Sequence, residues 1–356
     1  MAEAKQIKLR QIKPGFQAIL PPILAVFFAL LVGAGLILIA GANPLTAYTA
    51  LFQESLTTEY GFGNTLSKTT PLLLAGSGVL VALRVGLFNL GGEGQIYLGG
   101  LGSVLVGLYL QGLPSFIHLP LALIAGFFCG GFWALIAAYL KVFRGVNEVL
   151  STLLLNYIAQ NFISYLVSNP LKAPDAPSPF SPLIPDSARL PIILPQTQAH
   201  AGIFLGLFIA IILSILFAFT AWGYQIDAVG QNPQAARYAG ISVNRTLILT
   251  MIVSGGLAGL AGSSEVLGLK YRLFENFSPG YGFDAVAIAL LSRGSPLAVI
   301  LISLFFGTLR SGANVMQRTA GVPITIIYAI QGLVLVFLAI SLAINWNKKQ
   351  PIQVKN

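Results

Sequence analysis

The chain has 356 residues, 56% of them hydrophobic and 9% charged, with a formal net charge of +9 and a mean hydropathy of +0.81. Soluble domains carry about 25% charged residues, so 20 Lys and Arg with 11 Asp and Glu cannot cover a water-exposed surface of this size. The composition specifies an integral membrane protein. It excludes a nucleic-acid reading of the basic excess, because surplus Lys and Arg in a polytopic chain act as orientation signals.

At about 20 apolar residues per crossing, the pattern predicts an all-α polytopic protein with about ten transmembrane helices. Residues 1–17 form a basic N-terminus, 18–345 the membrane domain and 346–356 a tail. The uncharged stretch from Gln17 to Gln53 is too long for a signal-peptide core, so the first crossing, 18–41, reads as retained. The next runs from Lys68 to Arg84, followed by 95–112, 119–140 and 148–168. The loop 169–199 holds eight of the twenty prolines, among them Pro170, Pro174, Pro182 and Pro191, and cannot be a continuous helix. Crossings follow at 200–222, 246–266, a short 283–293, 296–314 and 323–345, with the sizeable loop 223–245 between the sixth and seventh.

Charge orients this topology. With the N-terminus inside, Lys5, Lys8, Arg10, Lys13, Lys141, Arg144, Arg237, Arg245, Lys348, Lys349 and Lys355 are cytoplasmic, eleven in all. Six, Lys68, Lys172, Arg189, Lys270, Arg272 and Arg318, are external, alongside the acidic Glu54, Glu59, Asp175, Asp186 and Glu275. The asymmetry puts both termini in the cytoplasm and 169–199 outside.

Four segments stand out. In the internal loop, Asn232 and Pro233 form a helix start, as N-cap and first helical residue. Gly240 forms its stop. The short helix between them carries Ala235, Ala236, Tyr238 and Ala239, small apolar residues around one aromatic. Such a surface suits docking into a partner's groove or lying against the membrane. In the second segment, six glycines surround Phe88, Asn89, Glu93 and Gln95 within residues 84–100. That reads as a break lining a cavity or as close helix packing. In the third, Asn147, Ser151, Asn156, Tyr157 and Gln160 put polar groups on an apolar helix. They face the bundle rather than lipid, toward solute or toward neighbouring helices. The fourth, 279–296, bounds a short helix with Gly and Pro and carries Asp284. Most other charges fall near span ends, where long side chains reach the interface, and they form no proton relay. Cys129 reads as a small buried hydrophobe, and two histidines are too few for a metal site. The chain has no phosphate-binding G-x-x-x-x-G-K-[ST] motif, so any ATP-driven chemistry belongs to another protein.

The runs GLFNLGGEGQIYLGG, NEVLSTLLLNYIA, AVGQNPQAARYAGI and GFDAVAIALLSRGSPLAVIL resemble the membrane subunits of ABC importers of the simple-sugar and nucleoside group, especially the basic-membrane-protein-dependent nucleoside importers. The likeness spans almost the whole chain. It implies a permease in the bacterial plasma membrane that forms half of a translocation path and binds no cofactor itself. Its implied partners are a cytoplasmic ATPase holding ATP and Mg, a second permease subunit and an external substrate-binding lipoprotein. It also implies that Gly230, Asn232, Ala235, Ala236, Tyr238 and Gly240 belong to the loop coupled to the ATPase, and that the fold is an inverted repeat like that of the cobalamin-type permeases. The neutral polar and aromatic residues Phe88, Asn89, Gln95, Asn147, Asn156 and Tyr157, with Glu93 and Asp284, are the expected pathway. They suit a nucleoside and equally a sugar. An ion-coupled secondary transporter is the alternative, and it gives no role to the 223–245 helix.

Overall fold

The computed structural model describes residues 16–174 and 177–347. The basic residues expected inside at 5–13 and 348–355, and Asp175 in the external loop, lie outside the described residues. The described residues are almost entirely helical: α1 Phe16–Ile39, α2 Pro44–Thr57, α3 Glu59–Arg84, α4 Gly92–Tyr109, α5 Ser115–Arg144, α6 Glu148–Ser168, α7 Gly202–Phe219, α8 Ala221–Gln231, α9 Pro233–Tyr238, α10 Val243–Glu265, α11 Tyr281–Leu291, α12 Pro296–Ala320 and α13 Thr325–Asn347. Five are long and apolar enough to cross a membrane: α3, α5, α7, α10 with its continuation to Lys270, and α12. Shorter apolar helices occupy Ile23–Ile39, Tyr281–Leu291 and Thr325–Phe337. With α4 and α6, which are more polar, each expected crossing falls on a helix.

Two compact units divide the chain, one of Leu51–Gly312 and one of Met1–Ala50 with Ala313–Asn356. In the second, α1 packs on α13. Gly33 permits a close approach there, since a Cβ on it would stand 2.6 Å from Ile330 Cδ1. The Tyr48 hydroxyl donates to Leu30 O at 2.7 Å.

The unit Leu51–Gly312 is built around α3 and α10. α3 is buried along most of its length despite its glycines, threonines and serines. Its threonine hydroxyls bond to carbonyls of the same unit, as in Thr69 to Thr65 O at 2.7 Å and Thr65 to Ser55 O at 3.0 Å. Small residues let backbones approach where lipid supplies no hydrophobic drive. A Cβ on Gly99 of α4 would fall 2.2 Å from Gly259 Cα, and one on Gly130 of α5 would fall 2.7 Å from the same atom.

The sequence reading missed two helices. α2 is one, and α3 starts at Glu59, well before Lys68, capped by Thr58. α8 is the other: residues read as loop form a helix capped by Thr220, whose Oγ1 accepts from Gly223 N at 3.1 Å. Neither has the unbroken apolar run that marks a crossing. Among its described residues, the loop 169–199 is extended, with a single 3-10 turn at Asp186–Ala188, and it packs on the stretch after α10. Ser181 N donates to Leu273 O at 2.8 Å, Ile184 N to Tyr271 O at 2.9 Å and Leu190 N to Leu267 O at 2.9 Å.

Candidate coupling and translocation site

α9 forms as its end signals dictate. The Asn232 side chain accepts from Gln234 N and Ala235 N, both at 3.0 Å, and Pro233 opens the helix. Gly240, at φ +82°, closes it: Gly240 N donates to Arg237 O and Ile241 N to Ala236 O, each at 3.0 Å. This is the paired closure that a left-handed residue makes possible. The surface differs from expectation at one residue. Ala236 is 3% exposed and packs with Ala82, Val85, Ala137, Ile226, Val229 and Val243. It therefore anchors α9 to its own chain and is no part of an outward docking face. Ala235 and Ala239 are exposed, and Tyr238 is 94% exposed.

Gly230 acts through close approach. A Cβ there would meet Arg84 O at 2.0 Å, so α8 rests on the end of α3. Arg84 then joins four elements. Its Nε donates to Asp227 Oδ1 of α8 at 2.8 Å and its Nη2 to Oδ2 at 2.5 Å. Its Nη1 donates to Gly294 O, in the turn between α11 and α12, at 3.2 Å. Its guanidinium lies 4.0 Å from the centroid of the Phe217 ring on α7. Sequence spacing gives no sign that residue 84 meets residue 227; only a charge at a span end hinted at it.

The second and fourth segments meet. A Cβ on Gly92 would stand 3.3 Å from Gly282 Cα, so the starts of α4 and α11 abut. Glu93 fills the junction: its Oε2 accepts from Gly282 N at 2.7 Å and its Oε1 from Gly280 N at 3.2 Å. The carboxylate thus satisfies the open N–H groups of α11 and complements its dipole. Asp284 pairs with Arg310 Nε at 2.7 Å, and Arg310 Nη2 donates to Pro279 O at 3.1 Å.

The expected pathway amides are committed to their own chain. Asn89 and Gln95 exchange two hydrogen bonds of 2.9 Å, and Asn89 Nδ2 reaches Ser254 Oγ at 2.9 Å. Asn156 accepts from Gly94 N and donates to Leu90 O, both at 2.8 Å. Asn147, expected to face the bundle, is exposed and caps α6 by accepting from Val149 N at 2.9 Å. Phe88 and Tyr157 are 47% and 65% exposed. Glu93 and Asp284 lie in the first turns of α4 and α11 and Glu265 ends α10, at helix ends as expected, whereas Lys68 and Arg310 lie within α3 and α12. Glu93, Asp284 and Arg310 come together, and Lys68 and Glu265 are electrostatic neighbours beside them. Nearby, before α7, His200 packs its ring on Gly268. Burial first, and the Lys68 charge second, hold that imidazole down to about 4.

Residues 61–339 match the family model described as the branched-chain amino acid transport system / permease component. The chain belongs to this family. It is 35% identical to the glucose ABC transporter permease protein TsgB13 of Haloferax volcanii, over 94% of this chain and 91% of the relative. It is 35% identical to the guanosine ABC transporter permease protein NupP of Bacillus subtilis, over 92% and 95% of the two chains. It is 33% identical to the nucleoside ABC transporter permease protein NupB of Lactococcus lactis, over 92% of each. This permease is accordingly a multi-pass membrane transport protein and not an enzyme, and the clusters above are parts of a transport machine.

Proposed function

We propose that the chain is one membrane subunit of an ATP-driven importer for a neutral, hydrogen-bonding solute of the nucleoside or simple-sugar class, and that α9 couples it to a separate cytoplasmic ATPase. The observation that carries this reading is α9 itself. A helix of six residues has no stability of its own in water. Here Ala236 fixes it from below and the caps close both ends. Its exposed face carries Ala235, Ala239 and a Tyr238 that touches almost nothing in its own chain.

Likeness to permeases named for guanosine and nucleosides supports a nucleoside, and likeness to one named for glucose supports the sugar alternative. Bacillus subtilis has a second similar protein, the guanosine ABC transporter permease protein NupQ, 27% identical over 259 residues. That supports a partner permease that is similar but not identical. ATP and Mg sit on the ATPase, and an external lipoprotein delivers the solute. The charge asymmetry supports cytoplasmic termini and a cytoplasmic α9. The inverted repeat pairs α3, its break and α4 with α10, its break and α11. Its support is that the two breaks lead into helices whose starts abut.

Tyr238→Ala and Ala235→Arg test the coupling role. Both should reach the membrane at normal abundance, lose co-purification of the ATPase and lower uptake by at least about tenfold, as removal of an aromatic anchor from an interface does. Ala236→Arg should instead lower abundance, because it forces a long charged chain into this subunit's own core. Normal ATPase retention and full uptake in both surface variants would reject α9 as the coupling helix.

A further inference from the structure

Glu265 ends α10 and is 1% exposed, yet neither carboxylate oxygen has a hydrogen-bond partner among the described residues. A buried carboxylate without donors is costly, and buried polar groups left unmatched call for an explanation. The Tyr281 hydroxyl, fully buried at the start of α11, faces this carboxylate without closing a hydrogen bond and has no other partner. Lys68 of α3 is an electrostatic neighbour of Glu265, with no ion-pair contact between them among the described residues. Arg310 is committed to Asp284 and Pro279 O. The backbone changes here as well. Directly after Glu265, residues Val266–Lys270 form a π-helix, a wider turn that is frequent at functional sites.

Lys68 lies within α3, Glu265 is the last residue of α10 and Tyr281 the first of α11, so the three groups gather next to the abutting starts of α4 and α11. Binding stations of transporters lie where interrupted helices meet. A carboxylate with two open acceptors, a hydroxyl and an ammonium complement a solute that offers donors and acceptors together. Two hydroxyls on adjacent ring carbons can each donate to one carboxylate oxygen and accept from Tyr281 or Lys68. An anionic solute would set its own negative charge against the carboxylate. A guanine base can also give two N–H donors to one carboxylate, but a sugar carries no base, whereas adjacent hydroxyls occur in both solute classes. Glucose and guanosine, for which two of the similar permeases are named, share this feature: a ring with adjacent hydroxyls.

We infer that Glu265, Tyr281 and Lys68 form a solute-binding station inside the subunit that recognises a vicinal diol. The inference rests on the importer reading above. The station is sealed in this conformation and opens by movement of α11, a helix of 11 residues bounded by Gly280 at φ +89° and Gly294 at φ +84°. The amides of Asn89, Gln95 and Asn156 build the frame and leave recognition to these three residues.

The test uses the whole importer in cells, with permease abundance and ATPase co-purification matched. Uptake of guanosine is compared with that of 2′-deoxyguanosine, and uptake of glucose and its methyl glycoside with that of the methyl glycoside of 3-deoxyglucose, which keeps no two hydroxyls on adjacent ring carbons. Because the same external binding protein serves every variant, a change in these ratios reports on the permease. Wild type should favour the intact diol. Glu265→Gln should cut its uptake by about tenfold or more while changing the deoxy analogue less than about threefold, as when a site built for a hydroxyl loses its partner. Tyr281→Phe removes one unpartnered oxygen, so folding should tolerate it, and it should shift the ratio in the same direction. It decides the matter if Glu265→Gln does not assemble. Ratios unchanged in both variants, or a wild type indifferent to the diol, would overturn the station. ATPase-dependent uptake of neither guanosine nor glucose by wild type would instead overturn the importer reading for this solute class.

Discussion

Arg84 does work that no lysine could. A guanidinium presents a planar fork that meets a carboxylate through two bonds and still stacks on a ring, and Arg84 does both, on Asp227 and on Phe217. With side chains 23% and 31% exposed, the pair is worth more than a surface bridge of about 0–1 kcal/mol but falls short of a sealed one. Its value is positional: it ties α8, and through it α9, to the end of α3 and to the turn that follows α11. Arg84→Lys and Asp227→Asn should therefore each lower uptake while leaving the ATPase bound. The double variant should be no worse than either single one, since residues sharing one contact are not additive. Uptake measured beside ATPase co-purification separates this outcome from a docking defect, and additive losses would show that the two residues act apart.

At the scale of helices, glycine decides which elements touch. α4, α5 and α10 cross through Gly99, Gly126, Gly130, Gly255 and Gly259, where an added Cβ would overlap a partner's backbone or side chain. Gly259→Leu should push α10 away from α5, because a Cβ there would stand 2.3 Å from Gly126 O and 3.1 Å from Gly130 Cα. Overpacking costs about 1–3 kcal/mol and occasionally more, and here the obstacle is the α5 backbone, which cannot rotate away. A lower melting temperature of the detergent-purified subunit would show it, whereas Gly35→Leu, with nothing within 4 Å of its Cβ, should melt like the parent. The crossings and the α9 caps follow from local chemistry, so apolar runs, Asn232, Pro233 and Gly240 announce them. α2 and α8 carry no comparable signal, because packing within the fold rather than an apolar run makes them stable.

Across the whole molecule, the membrane constrains the chain most. Its orientation rests on the distribution of Lys and Arg and can be read with single cysteines in a Cys129→Ala background. Ser178→Cys, in the loop that the charge bias puts outside, should react with an impermeant thiol reagent in intact cells. Gln234→Cys, exposed on α9, should react only after the cell is opened. The reverse pattern would invert the protein and remove α9 from any cytoplasmic ATPase.

Hydropathy and helix punctuation determined the all-helical membrane fold, the helices on which the apolar runs fall and the short capped helix, because each reflects the water-to-lipid transfer or the backbone needs of residues adjacent in sequence. The sequence also marked Asn89, Gln95 and Asn156 as polar groups that must be sheltered from lipid. Only the tertiary structure decided that their bonds close within the chain, that Ala236 points inward, and that Arg84 meets Asp227. That Glu265 and Tyr281 are buried with unmatched oxygens came into view only there. A polar side chain in a span always needs a partner, but whether its own chain supplies one depends on contacts between residues far apart in sequence. The periodicity of a single helix carries no record of them.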